Sequence, residues 1–519
     1  MTAAVPSNTA DALLAREDFG TLSEMLAAWA AERPDHPAVI EGGHVLSYAQ
    51  LDARADRVAA ALQRDGAKHS IAIVSYSCVD YVAAYAGALR AGLAVAPLPP
   101  SATPEQIAGM AQDSDAGHLF WDAPNAAALA GIAAGLPGKR IRFDNAEFET
   151  WLAPAGAKPA PVAITPQMPF NIIYSSGTTG TPKGIVQPHG MRWLHMQRAT
   201  AYGYDRDAVT LLSTPLYSNT TLVSLFPTLA GGGTAVLMAK FEVEAYLELA
   251  QNHRVTHTML VPVQYRRIMA HPAFDRFDLS AFRAKFCTSA PFAAALKADI
   301  LKRWPGKLIE FYGMTEGGGT CILIADEHPG KLHTVGPAAP GHDIRLIGED
   351  GREVAPGEIG EIVGHSGAIM TDYHKQPGKT AEAEWYAPDG RRFIRTGDMG
   401  RFDADGFLQL MDRRKDMIIS GGFNIYPSDL EAVLREHPAV YDVAVVGVPS
   451  EAWGETPVAF VVKAPGQAAT AEEILAWANA RLGKMQRLSA VVFREVLPRS
   501  AIGKVLKREL RDEYAKVPA

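Results

Sequence analysis

Residues 174–184 read YSSGTTGTPKG, a run of hydroxyls and glycines with one lysine, placed directly after the apolar stretch FNIIY. Gly177 and Gly180 let such a backbone turn tightly and present its N–H groups. The hydroxyls of Ser175, Ser176, Thr178, Thr179 and Thr181 add donors, and Lys183 adds a positive charge, so the run has the makings of a phosphate cradle. It is not a P-loop of the Walker kind, because Pro182 stands where G-x-x-x-x-G-K-[ST] needs its second glycine. A solvated turn fits the same composition, and the run alone does not decide between the two. Other candidate constellations are weaker. His189, His195, His253 and His257 lack the spacing of metal ligands and are read as structural or surface groups. The DADG at 403–406 opens like a calcium loop but lacks the later ligands, so Asp403 and Asp405 are read as turn residues.

The elements that must position this chemistry follow from hydrophobic patterning. Capping boxes at Thr21/Glu24 and Ser47/Gln50, the strand IAIVSY, a helix over 79–90 and the strand VAPLPP set up a βαβ rhythm, which continues through GHLFW, FNIIYS, TAVLMA and HTMLV. The expected fold class is α/β: a large N-terminal domain of parallel-rich sheets flanked by helices, over 1–413. From about residue 340, short strands joined by Asp-Gly turns predict a small β-barrel or meander belonging to that domain. The remainder, 414–519, predicts a small α+β domain with a helix from Ser428, strands YDVAVVGV and PVAFVVK, a capped helix from Thr470 and AVVFREV.

Composition narrows the partner class. The 519 residues carry 50 basic and 57 acidic side chains, a net charge of −7, which is mild for this size; it argues against nucleic acid or an anionic membrane as the main partner and favours a small molecule. Cys78, Cys287 and Cys321 are too few and too scattered for a disulfide framework or a structural zinc site. No secretory leader is read at the start, and the apolar run YVAAYAGALRAGLAVAPLPP is broken by Arg90 and closed by prolines, so a cytoplasmic protein without integral membrane association is expected.

Four motifs in fixed order lift the ambiguity of the opening loop: YSSGTTGTPKG; YGMTEGG at 312–318; RTGDMGRFDADGFLQLMDRRKDMIISGGFNIYPSDLE from Arg395 to Glu431; and PRSAIGKVLKREL from Pro498 to Leu510. Over nearly its whole length the chain resembles the adenylate-forming (ANL) superfamily, which includes acyl-CoA synthetases, aryl-CoA ligases, luciferases and peptide-synthetase adenylation domains. The resemblance implies an AMP-forming acid–thiol ligase using ATP, Mg2+ and coenzyme A. Such an enzyme converts a carboxylate, a poor electrophile, into a mixed anhydride with AMP, and cations must gather where the α-phosphate takes up charge. By resemblance, Glu316 holds Mg2+ with Thr315 beside it, Tyr312 stacks on adenine, and Ser289, Ala290, Pro291, Gly313 and Met314 complete the nucleotide site. Asp398 accepts the ribose hydroxyls near Arg413, and Lys504 bridges the attacking carboxylate and the α-phosphate. Lys415 is the implied hinge of a mobile C-terminal domain, and Gly421, Gly422 and Phe423 line the implied pantetheine channel.

The chain also departs from the family pattern. Ser218 stands where many acyl- and aryl-CoA ligases carry a histidine, in TPLYSNTTLVSLFP, and CTSAPF places Thr288 where a pocket glycine is frequent. The implied acyl pocket, at Tyr217, Ser218, Asn219, Thr220, Thr288, Gly313 and Gly318, mixes small, polar and aromatic groups, which favours a short, branched, aromatic or functionalised acid over a long fatty chain. The competing readings are loading of a carrier-protein phosphopantetheine, stopping at acyl-AMP, or a nucleotide sensor; retention of Glu316 and Lys504 argues against the last. A lysine acetyltransferase acting on Lys504 and a homodimer are the remaining partner expectations.

Overall fold

The computed structural model describes residues 9–515 except 137, 145, 176–182, 414, 421–422, 452, 484–485 and 501–504. Two compact units emerge, one formed by 1–332, 339–343 and 365–394, the other by 333–338, 344–364 and 395–519.

The first unit is built on two sheets. Capping boxes at Thr21/Glu24 and Ser47/Gln50 open the helices Leu22–Glu32 and Tyr48–Arg64, as their side-chain oxygens take up otherwise unpaired N-terminal N–H groups. The expected helix is found at Val79–Arg90, between the parallel strands Ser70–Val74 and Ala94–Pro97. One sheet has the order Lys139–Arg142, Ala116–Trp121, Ser70–Val74, Ala94–Pro97, Pro169–Ser175, Lys183–Pro188, parallel except for the last hairpin. The second has the order Cys321–Ile324, Lys307–Tyr312, Ala284–Cys287, His257–Leu260, Val209–Leu212, Thr234–Leu237, Pro37–Glu41, His44–Ser47, with an antiparallel pair at each edge. A single apolar cluster draws on both sheets and on the helices Val79–Arg90 and Asn219–Ala230, with Tyr85, Phe170 and Phe226 among its members. Trp29, fully buried there, satisfies its indole N–H by donating to the Ala230 carbonyl at 2.7 Å.

His257 and His189 are among the histidines of this unit that burial holds neutral. His257 is fully buried, its Nε2 3.0 Å from the Tyr202 carbonyl and its Nδ1 2.6 Å from Thr256 Oγ1, and burial lowers its pKa to about 4. His189 lies edge-on to Phe170, buried, and is likewise lowered by burial to about 4. Because each folded pKa lies below the unfolded value, the associated stability is complete above about pH 6.5 and is lost as pH falls toward 4, at up to ~1.4 kcal/mol per pH unit per histidine. Denaturation midpoints are therefore expected to hold steady from pH 8 to 6.5 and to drop below that, with His257→Gln flattening part of the slope. A midpoint unchanged down to pH 4 would contradict this.

In the second unit, strands Asp343–Ile347, Gly360–His365, Arg392–Phe402 and Leu408–Arg413 follow one another in that order. Strand Glu384–Tyr386 of the first unit pairs with the opening residues Arg392–Ile394. Of the expected barrel or meander, the structure shows no closed barrel but an open sheet: among the described residues no pairing joins its outer strands, so the continuous stagger that closure requires is not met. Asp403 Oδ1 accepts from the N–H groups of Asp405 and Phe407, both at 2.9 Å, which makes DADG a turn as expected. Further along, helix Pro427–Arg435, strands Val440–Ser450 and Gly454–Lys463, the capped helix Ala471–Asn479 and strand Ala490–Arg494 enclose a core of Ile418, Leu430, Val443, Val461 and Ile474. No helix among the described residues is long and apolar enough to cross a membrane.

Candidate active site

The candidate loop sits at a hairpin. Strands Pro169–Ser175 and Lys183–Pro188 pair antiparallel with Tyr174 opposite Gly184 and Ser175 opposite Lys183, so the run YSSGTTGTPKG is held at both ends by a ladder. Tyr174 anchors one end through its hydroxyl, which donates to Asp113 Oδ2 at 2.7 Å. Ser176, Gly177, Thr178, Thr179, Gly180 and Thr181 lie outside the described residues, and of Ser175 only the backbone is described.

The segment 368–374 ties this hairpin to the YGMTE turn. Its Thr371 N–H donates to the Val186 carbonyl at 2.9 Å, its His374 N–H to the Gly184 carbonyl at 2.7 Å, and it accepts from the Val186 N–H at the Asp372 carbonyl at 3.0 Å. Upstream, Met370 N–H donates to the Glu316 carbonyl at 2.8 Å and the Ala368 carbonyl accepts from Gly318 N–H at 3.0 Å. The two motifs, 133 residues apart between Lys183 and Glu316, are thereby brought to one residue, Tyr373. Its hydroxyl donates to Glu316 Oε1 at 2.7 Å, and Lys183 Nζ stands 4.9 Å from its ring centroid. Burial, then the Glu316 charge, pushes the Tyr373 pKa well above the usual phenol range, so it remains a donor.

Gly317 makes this docking possible. Its φ is +72°, and a Cβ there would lie 2.3 Å from the Ala368 carbonyl oxygen. Gly317→Ala is expected to destabilise the unit by about 2 kcal/mol or more and to displace Glu316, because strain and backbone collision act together. Thermal unfolding and acid-dependent pyrophosphate release measure the two effects. A stable, fully active alanine variant would contradict the assignment.

The other candidates of this unit gather at the carboxyl ends of the parallel strands, where open α/β sheets place ligands. Tyr217 to Thr220 follow strand Val209–Leu212, Thr288 to Pro291 follow Ala284–Cys287, and Gly313 to Thr315 follow Lys307–Tyr312. Tyr312 ends its strand opposite Cys321, and Gly318 has φ +87°. Ser289 adopts φ +80°, a costly conformation for a non-glycine residue, and its hydroxyl lies 2.8 Å from Thr220 Oγ1. Ser218 is the N-cap of helix Asn219–Ala230, accepting from Thr220 N–H at 3.3 Å, so the residue at the histidine position is engaged in capping. Ala290 and Met314 are half-buried, and Pro291 is exposed.

In the second unit, Asp398 and Arg413 are register partners across the hairpin of Arg392–Phe402 and Leu408–Arg413. Lys415 follows in an exposed turn, and its neighbour Asp416 accepts from Arg511 Nη2 at 2.6 Å. Gly421, Gly422 and Lys504 lie outside the described residues, as do the side chains of Arg413 and Phe423. Sequence reasoning missed Tyr373, Gln187 and Arg192; the first lies in TDYHKQPGKT, whose polar and aromatic mix between two glycine motifs was the available signal.

No group of three or more His, Cys, Asp or Glu side chains among the described residues is arranged to hold a metal. One carboxylate, Glu316, is the donor expected when phosphates and water supply most of the shell.

The α/β unit with candidates at its strand ends is accompanied by a unit that has its own α+β core. Residues 26–374 match the AMP-binding enzyme family and residues 429–504 the AMP-binding enzyme C-terminal domain. The chain belongs to this family, the ANL superfamily of AMP-forming acyl-CoA synthetases. It is 33% identical over 498 residues to a feruloyl-CoA synthase of an Amycolatopsis species, covering 94% of this chain and 99% of the relative. It is 30% identical over 506 residues to the fatty acid–[acyl-carrier-protein] ligase ScoC of Streptomyces coeruleorubidus, covering 95% and 96%. The crystal structure of ATP-bound MatB from Rhodopseudomonas palustris superposes with a TM-score of 0.86 at 28% identity, covering 96% of this chain and 99% of that one.

Proposed function

We propose that the protein is an ATP-dependent carboxylic acid–CoA ligase. The acid oxygen attacks the α-phosphorus of ATP, releasing pyrophosphate and forming acyl-AMP; the CoA thiol then attacks the acyl carbon, releasing AMP. The observation that carries this reading is the convergence of Lys183 and Glu316 on Tyr373. It sets a cation for phosphate beside a carboxylate for Mg2+ and fixes that carboxylate by a hydrogen bond. In this reading Mg2+ supplies charge neutralisation on the phosphates. Thr315 offers a hydroxyl beside Glu316, Tyr312 faces adenine, and Asp398 and Arg413 meet the ribose. Lys504 serves the first step, and a domain boundary at 413/414 with its hinge at Lys415 separates the two steps.

The favoured substrate is a short, branched, aromatic or functionalised acid, with aromatic acids first. Tyr217, Thr220 and Thr288 offer mixed polar and aromatic contact, and the similarity to a feruloyl-CoA synthase points the same way. Transfer to a carrier-protein phosphopantetheine is the second reading, favoured by the similarity to ScoC. The test is thioester formation over a panel of aromatic, branched and long-chain acids, with CoA or a phosphopantetheinylated carrier protein as acceptor. CoA thioesters of aromatic acids are expected. Turnover confined to long chains would overturn the substrate class, and turnover confined to the carrier protein would favour the second reading.

A further inference from the structure

Helix His189–Ala199 carries an arginine that is 1% exposed and has no carboxylate partner among the described residues. Arg192 Nε donates to Asn171 Oδ1 at 3.1 Å, and Nη2 donates to Asn219 Oδ1 at 2.9 Å and to Gln187 Oε1. The guanidinium lies 5.8 Å from the Phe170 ring centroid and 5.7 Å from that of Phe226, while buried Nη1 has no hydrogen-bond partner. Burying a cation among neutral amides without a carboxylate is unfavourable.

The arrangement has a directional consequence. A guanidinium only donates, so all three amides must turn their oxygens toward it. For Gln187 this leaves Nε2 pointing away, where it donates to the Thr315 carbonyl at 2.5 Å. Asn171 Nδ2 completes the lock by donating to Gln187 Oε1 at 3.1 Å. Thr315 precedes Glu316, whose carboxylate is held by Tyr373, and Asn219 opens the helix whose cap is Ser218. One buried cation thus sets the orientation of an amide in strand Lys183–Pro188 that bonds to the Thr315–Glu316 turn, and of a second amide at the start of helix Asn219–Ala230.

We propose that Arg192 is a positioning residue for acid activation, acting through Gln187 on the Thr315–Glu316 turn and through Asn219 on the acid pocket. The proposal rests on the reading of those two segments as the ligase site.

Gln187→Glu separates positioning from stability. It keeps the shape and gives Arg192 a counter-ion, but it replaces the donor to Thr315 with a carboxylate oxygen that repels the carbonyl. Expected for Gln187→Glu is a melting temperature equal to or above wild type, with kcat for acid-dependent pyrophosphate release down by about tenfold or more, in line with the cost of misplacing a reacting group. Arg192→Met is expected to lower kcat and raise the acid KM, with Arg192→Lys recovering part of both. Wild-type kcat in a stable Gln187→Glu variant would overturn the proposal, as would losses in Arg192→Met that merely track its melting temperature. Failure of wild type itself to release pyrophosphate with any acid would instead overturn the ligase reading on which the proposal rests.

Discussion

Lys504→Ala is expected to abolish most acid-dependent pyrophosphate release while leaving the conversion of supplied acyl-AMP and CoA to thioester close to wild type. The reason is electrostatic. In the first half-reaction a carboxylate approaches a phosphate, two anions that repel, and a lysine between them stabilises the charge that builds on the α-phosphate oxygens. Removing one such preorganised donor costs on the order of 10² to 10³ in rate, or about 3–4 kcal/mol. In the second half-reaction the phosphate is a leaving group and the nucleophile is a thiol, so the same lysine has no charge pair to bridge. Single-turnover assays of the two steps measure this division directly. Equal losses in both would show that Lys504 acts on structure or on binding common to both steps.

Glu316→Gln and Tyr373→Phe are expected to fall in a graded series. The Glu316→Gln variant keeps the shape but loses the charge suited to Mg2+, with an expected fall of about 10²-fold in kcat for pyrophosphate release. The Tyr373→Phe variant keeps the ring under Lys183 and loses only the hydrogen bond to Glu316 Oε1, for which about tenfold, ~1.4 kcal/mol, is the expected size. The phenylalanine variant should also need more Mg2+ for half-maximal rate, because its Glu316 carboxylate is no longer oriented. A Tyr373→Phe enzyme indistinguishable from wild type would remove Tyr373 from the site and leave Glu316 standing alone.

The sequence carried the family and the elements well, and the site only in part. Helix Val79–Arg90, the capping boxes and the parallel strands were legible because their signals are local: hydrophobic period, cap chemistry and strand length. The choice between barrel and open meander was not, since closure depends on which strands meet at the ends, a long-range property that short strands and Asp-Gly turns do not encode. Lys183 and Glu316 were visible as motif residues, but Tyr373 was not, because its role exists only once segment 368–374 is laid between two distant turns. Ser218 was legible as a departure from the family pattern and illegible as an N-cap until the helix start was fixed at Asn219. Gln187 and Arg192 look unremarkable in GIVQPHGMRW; only burial without a counter-ion marks them.

In the proposed reaction the site activates a carboxylic acid by adenylation. Incorporation of labelled pyrophosphate into ATP, in the absence of CoA, tests it most directly, since only a reversible acyl-AMP step links the two. Exchange is expected to require both an acid and Mg2+ and to be lost in Lys504→Ala. Exchange without any acid, or ATP consumption that yields ADP and phosphate in place of AMP and pyrophosphate, would contradict it.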